Sequence, residues 1–410
     1  MRGGGLALTA EIKVFGTPEP RALAQLERCA ERADYAVLCA DNHVGYSMPI
    51  GGAAAYEHLI SPSGVGFDIG CGNKAARTPL RAADVDLPSV MDQIARRISF
   101  GIGQTSAWHV DHPVLDRIAH AEFEPQRKLA KLAREQLGTV GGGNHYVDVL
   151  VDEEGLLWVG VHFGSRGFGH KTATGFFALA QGREFGDRAS EGSMDAPPVL
   201  LDTRTELGQA YVAAMSLAGE YAYAGRDLVV AKVLEILGTR ATDEVHNHHN
   251  FAWRERHFGR DYWVVRKGCT PAFPEQRGFV GGSMGDISVI LEGVDGEDAR
   301  GALYSTVHGA GRVLSRRQAA GKRRWIRDKR TGRRYAKTIA PGVIDWDAAK
   351  HELASRGIEL RGGGADEAPG VYKRLADVLR AHASSIQIRH TLRPVGVAMA
   401  GDDVEDPYKD

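Results

Sequence analysis

The sequence predicts one large domain that mixes strands and helices. Three observations carry that reading. The chain has 410 residues, 43% of them hydrophobic, enough for a sizeable core in one big domain or in two to three ordinary ones. No break in composition divides it. Glycine-rich, histidine-bearing loops are spread from residue 41 to residue 312, and a single site assembled from the whole chain implies one domain.

The elements follow in order. Residues 18–33 open with turn residues and continue with helical spacing of apolar positions. Residues 35–40, YAVLCA, read as a buried strand running into a polar loop, DNHVGYSMPIGG. Residues 64–78 are loop, then strand. A proline marks the start of a helix over 85–98, and residues 124–138 form an amphipathic helix stopped at Gly138. The loop TVGGGNHYVDV, a strand over 157–170 and a helix to about 182 come next. Residues 187–203 are a polar excursion containing Pro-Pro, and 209–238 is the longest helical stretch. The second half brings EVHNHHNFAWRE, a strand over 261–273, the loop GGSMGDISVILEG and STVHGAGRVLSRRQA. A basic segment over 321–338 follows, with Thr331-Gly332 as its hairpin turn. Helices at 345–356 and 369–383, a last strand over 387–400 and an acidic tail from 402 to 410 end the chain.

Composition sets bounds on function. Lys plus Arg is 51 against 52 for Asp plus Glu, so a nucleic-acid surface must be local. Four scattered cysteines do not form a disulfide framework, which points to a reducing cytoplasm with Cys71 available to a metal. The N-terminus lacks the pattern of a secretory leader, and no apolar run approaches the ~18 residues that cross a bilayer.

The chemistry centres on residues 64–72, GVGFDIGCG. Glycines let a ligand approach the main chain, and Asp68 and Cys71 can face one point in a tight turn. A thiolate beside a carboxylate suggests a metal site. The alternative is a turn with a buried cysteine. His145 in GGGNH, His162 in HFGSRG and His249 in HNHHN bring the candidate ligands to five, which two divalent ions bridged by one thiolate would use economically. HGAGR, residues 308–312, offers a neutral imidazole as nucleophile, with main-chain N–H groups and Arg312 for phosphate, or else a structural turn. GGSMG is a nonspecific small-residue loop suited to phosphate or a nucleobase. Lys267 and Arg166 are cations beside these loops. The basic segment interleaves Arg and Lys with Trp325 and Tyr335, which suits RNA but also suits a solvated hairpin.

Taken together, GVGFDIGCG, GGGNH, HFGSRG, HHN, RKG, GSMG and HGAGR resemble, in order and spacing, the RtcB family of RNA-splicing ligases. ADNHVGYSMPIGG resembles that family's early Asp-x-His loop, and TLRPV its final strand. The resemblance spans residues 35–397. It implies an α+β fold, a single large domain over residues 1–401 with a mixed β core wrapped by helices. It implies ligation of RNA ends bearing a 3′-phosphate or 2′,3′-cyclic phosphate to 5′-hydroxyl ends, with GTP and Mn²⁺. By position, Asp68, Cys71 and His145 would hold one Mn²⁺, and Cys71, His162 and His249 a second. His308 would be the guanylylated nucleophile, passing its guanylate to the RNA 3′-phosphate. Asn144, Asp148, Ser283, Ser288, Tyr372, Lys267 and the main chain of Gly309, Ala310 and Gly311 would surround the nucleotide. Arg166, Arg312, Arg323, Arg324, Arg333 and Arg334 would contact RNA. The partners are then RNA, as tRNA halves or cleaved RNA, and GTP, with room for an accessory protein and no membrane. Two departures stand out. The family commonly has glutamate where this chain has Asp148, and it usually ends in a lysine that contacts guanine, where this chain reads VAMAG and continues to Lys409. A metal-dependent phosphatase or phosphodiesterase acting on nucleic-acid ends is the competing reading, with His308 in acid–base work only.

Overall fold

The computed structural model describes residues 10–187, 194–327 and 334–402. It shows a single domain built around two mixed sheets. The smaller has five strands in the order Glu11–Val14, Tyr35–His43, Ile50–Tyr56, Arg260–Lys267, Asn250–His257, with the first pair parallel and the others antiparallel. The larger runs Arg277–Val280, Ser288–Gly293, Ile386–Gly401, Tyr146–Val151, Leu156–Phe163, Gly72–Arg81, Asp243–His248, and Glu359–Gly363 joins Ile386–Gly401 in parallel.

Apolar residues place the helices. The 32-residue helix Glu206–Leu237 is apolar on more than one side, so it is buried rather than amphipathic. One side packs with helix Arg166–Ala180 in a core that also takes Leu38, Tyr56 and Val265 of the smaller sheet. The other side brings Val229, Val230 and Val233 against Val147, Val159 and Val161 of the larger sheet. A third cluster, with Val37, Val264, Val289 and Leu375, lies between the sheets. Among the described residues, no helix is long and apolar enough to cross a membrane.

Several elements differ from the sequence reading. The strand starting near 157 is Leu156–Phe163 and stops there. Gly164 lies against Asp68, leaving no space for a Cβ, and Arg166 takes a left-handed φ of 55°, so the chain turns directly into helix Arg166–Ala180. Residues 124–138 form two short helices, Glu124–Arg127 and Ala130–Gln136. Gln126 is buried and donates to the Ala214 carbonyl (2.8 Å), which pins the first turn at its own angle. Residues 369–383 keep only the helix Leu375–Arg380 after a single tight turn, Pro369–Val371. Tyr372 bridges to Arg312 and the Lys373 N–H bonds to the Gly311 carbonyl, so this stretch is held extended by the HGAGR loop. The loop expected from residue 41 is strand as far as His43. The basic segment does form a two-stranded ribbon, Lys322–Arg327 with Arg334–Ala340. Thr331-Gly332, Arg333 and Lys409 lie outside the described residues.

Candidate functional site

The ligand candidates sit at strand ends where the two sheets meet. Cys71 precedes strand Gly72–Arg81, His145 precedes Tyr146–Val151, and His162 lies in the last turn of side chains of Leu156–Phe163. His249 is the single residue between Asp243–His248 of the larger sheet and Asn250–His257 of the smaller one. Its N–H bonds to the Cys71 carbonyl (2.8 Å), which ties the corner to the GVGFDIGCG turn. In that turn Gly70 has a φ of 70° and lies against Gly219 and Ala222, so it needs both glycine's backbone freedom and its lack of a side chain.

Two groups of donors result. Cys71, His162 and His249 bring ligand atoms within 4.8 Å of one another, and so do Asp68, Cys71 and His145, with Cys71 common to both. Cys71 Sγ lies 3.3 Å from His162 Nε2 and 3.6 Å from His145 Nε2, and His162 Nε2 is 3.4 Å from His249 Nε2. His162 Nδ1 is 3.0 Å from the Asn144 carbonyl, which can only accept, so Nδ1 carries the proton and Nε2 turns its lone pair into the cluster. Converging lone pairs with one shared sulfur fit divalent cations. Burial drives His162 and His249 well below the usual imidazole range, so both are neutral donors. Burial works to raise the Asp68 carboxyl, but hydrogen bonds and charge from His145, Cys71 and Arg166 outweigh it and bring it down to about 2. Burial and then Asp68 push the Cys71 thiol well up, so a cation must displace its proton to bind.

His308 follows strand Ser305–Val307, and its ring centre is 4.9 Å from that of His249. Its Nδ1 is 2.6 Å from Asp41 Oδ2, and its own N–H donates to the same oxygen (3.0 Å). Burial works to raise the Asp41 carboxyl, but the charge and hydrogen bonds of His308 outweigh it and hold it below the usual carboxylate range. With Nδ1–H on Asp41, Nε2 is the free nitrogen.

A cavity of ≈ 1280 Å³ covers both donor groups and His308. Asn144, Asp148, Ser283, Tyr372 and Gly309, Ala310 and Gly311 line it, as do Arg166 and Arg312. Ser288 does not line it; its hydroxyl accepts from the Gly282 N–H (3.2 Å). Lys267 lies behind the wall, donating to the carbonyls of Tyr46 (2.7 Å) and Ser63 (3.2 Å), and burial pushes its ammonium down to about 8. Arg312 pairs with Glu367 (3.4 Å) and donates to the Asp366 carbonyl (2.7 Å), while Arg166 donates to Thr139 (3.1 Å) and the Gly101 carbonyl (2.8 Å). Arg323 and Arg324 stand on the ribbon away from the cavity, with Arg323 paired to Asp402 (2.9 Å). Arg334 is on the opposite strand of that ribbon.

Two residues were missed. Asp41 stood in the early loop with no role assigned, although a carboxylate beside DNH loop glycines was the signal. Arg226 is fully buried in the long helix and donates to the carbonyls of Gly70 (2.9 Å) and Phe163 (2.6 Å) and to His246 Nε2 (2.8 Å). A single arginine inside an apolar helical run was its signal. His246 and His248 serve this arginine and lie in neither donor group.

The family model for tRNA-splicing ligase RtcB matches residues 22–125 and 117–400. The chain is similar to RNA-splicing ligase RtcB of Escherichia coli K12, 31% identical over 385 residues that cover 87% of each chain. It is 29% identical to tRNA-splicing ligase RtcB of Thermococcus kodakarensis over 446 residues, 89% of this chain and 87% of the other. RNA-splicing ligase RtcB of Mycobacterium tuberculosis is 31% identical over 446 residues, 89% of this chain and 95% of the other. With a match over nearly the whole chain and the donor groups gathered in one cavity, the protein belongs to the RtcB family of tRNA-splicing ligases.

Proposed function

We propose that this RNA ligase joins a 3′-phosphate or 2′,3′-cyclic phosphate end to a 5′-hydroxyl end in the cytoplasm, through a guanylylated His308. The observation that carries the proposal is the pairing of His308 Nδ1 with Asp41 at 2.6 Å beside the donor cluster. Asp41 fixes the tautomer and the ring plane, so Nε2 is the nitrogen turned toward the α-phosphate of GTP. Nε2 forms the bond to phosphorus, and pyrophosphate leaves. A 2′,3′-cyclic end is first hydrolysed by water, which breaks the bond to O2′ and leaves a 3′-phosphate; the guanylate then passes from Nε2 to the RNA 3′-phosphate, which restores His308. The 5′-hydroxyl attacks the activated end and GMP leaves.

Asp68, Cys71 and His145 would hold one Mn²⁺, and Cys71, His162 and His249 the other. Bound there, the ions would neutralise charge on phosphate oxygens and orient the attacking group. The main chain from Gly309 to Gly311 lines the cavity beside His308, where N–H groups suit phosphate oxygens. Arg166 and Arg312 line it as well and suit RNA phosphates. The ribbon cations extend that surface beyond the cavity. Incubation with Mn²⁺ and GTP labelled at the α-phosphate tests the scheme. The ligase reading requires acid-labile, alkali-stable label on the protein, followed by its transfer to RNA with a 3′-phosphate. A phosphatase working without GTP would remove the 3′-phosphate and stay unlabelled.

A further inference from the structure

The sheet face beneath the cavity carries two polar groups with no protein partner. Strand Tyr146–Val151 lies between Leu156–Phe163 and Ile386–Gly401, in a register that sets His162, Tyr146 and Met399 in one row and Gly160, Asp148 and Val397 in the next. Residues two apart on a strand share a face. Tyr146 and Asp148 therefore look into the cavity side by side, with Tyr146 next to His162. They are only 8% and 6% exposed, and neither Tyr146 Oη nor Asp148 Oδ1 has a hydrogen-bond partner. A buried polar group without a partner carries a desolvation penalty that a ligand can relieve.

The position of the hydroxyl narrows the ligand. It reaches the backbone of Gly281, where an added Cβ would sit 2.0 Å from Oη, so Gly281 makes room for it. Gly281 pairs in turn with Gly309, the residue after His308. The hydroxyl thus stands between the donor groups and the loop that follows the nucleophile. Tyr146, His308 and Gly309 line the same cavity, so an α-phosphate held at His308 would bring its phosphates and sugar to this side of it. A phenylalanine ring would fill the same apolar volume, so the oxygen is what tyrosine adds.

We propose that the Tyr146 hydroxyl hydrogen-bonds the sugar–phosphate part of the bound nucleoside triphosphate, beside the base position that the family resemblance already gives Asp148. This rests on the reading of the cavity as a GTP site. The phenol both donates and accepts, so either a phosphate oxygen or a ribose hydroxyl satisfies it.

The test is Tyr146→Phe in the Mn²⁺-loaded full chain, with variant and reference both carrying His308→Ala so that no nucleotide is consumed, and with GTP and ITP titrated by calorimetry. These nucleotides share sugar and phosphates and differ in the base. Loss of the hydroxyl should weaken both by about tenfold and by the same factor. Asp148→Asn should change the GTP to ITP ratio instead. Metal content should be unaltered in Tyr146→Phe, and the melting temperature without nucleotide should hold or rise, because an unsatisfied group has been removed. Unchanged GTP affinity, or a shift confined to one base, overturns the assignment. A lower melting temperature with unchanged affinity makes Tyr146 structural and overturns it too. Should the His308→Ala reference bind no GTP, the nucleotide site itself falls; should it bind GTP as Tyr146→Phe does, only the role of Tyr146 falls.

Discussion

His308 has one nitrogen fixed and one free, and Asp41 makes that distinction. Asp41 Oδ2 also accepts from the main-chain N–H of His308, so the carboxylate sets ring and backbone together. Asp41→Asn should slow covalent labelling by about a hundredfold or more, because orientation and tautomer both suffer; metal content should hold, and a normal labelling rate would remove Asp41 from the account. Cys71 is the residue common to both donor groups. Cys71→Ser replaces a thiol that a cation can ionise with a hydroxyl that stays protonated, so elemental analysis should find most manganese lost. Full occupancy in that variant would rule out a shared sulfur. Since burial and Asp68 hold the thiol proton tightly, metal affinity of the wild type should fall as pH falls. The candidate donors could be picked out in the sequence because cysteine, aspartate and histidine stand in glycine-rich or histidine-rich loops. The partnership of Asp41 with His308 was not, because 267 residues separate them and only the fold closes that distance. Lys267 shows the opposite case. Its place in RKG suggested the nucleotide, yet burial turns its ammonium toward two carbonyls behind the wall.

The hairpin of strands Asn250–His257 and Arg260–Lys267 supports the corner at His249. It carries a buried ion pair, Glu255 with Arg266 at 2.6 Å, and His257 adds a second contact to the carboxylate at 2.8 Å. Burial works to raise Glu255, but the Arg266 charge and the hydrogen bonds outweigh it, so its folded value lies below the ordinary 4.5. A carboxyl lowered on folding stabilises the fold above that ordinary value, and the contribution is lost as pH falls through the folded one. Glu255→Gln should therefore cost about 3 to 5 kcal/mol near neutral pH by leaving Arg266 buried without its counter-charge. The gap from wild type should narrow in acid below about 4.5. Thermal melts across pH measure it, and a constant gap would contradict the ion-pair account. On the basic ribbon, Arg324 is exposed and Arg323 is paired to Asp402. Arg324→Gln should lower the salt slope of RNA binding by about one while leaving labelling by GTP intact. An unchanged slope would take the ribbon out of the RNA surface. Long elements were legible, as in Glu206–Leu237 and Ile386–Gly401, because hydrophobic pattern persists across many residues. The short breaks near Leu129, Gly164 and Tyr372 were not. They are imposed by contacts with Ala214, Asp68 and Gly311, which are distant in sequence.

At the scale of the molecule, the site exists only where two sheets meet. Asp41 comes from the smaller sheet, Cys71, His145 and His162 from the rim of the larger, and His249 from the link between them. Buried Arg226 adds the long helix to this junction by holding the Gly70 and Phe163 carbonyls. A cavity of ≈ 1280 Å³ then sets one histidine beside two donor groups that share a sulfur. The central claim is that this histidine becomes covalently guanylylated. Labelling of wild type and His308→Ala with GTP carrying ³²P at the α-phosphate, in the presence of Mn²⁺, tests it most directly. The account predicts acid-labile, alkali-stable label on the wild type and none on His308→Ala, with equal manganese in both. Label retained by His308→Ala, or a metal-loaded wild type that ligates RNA without ever taking label, would contradict it.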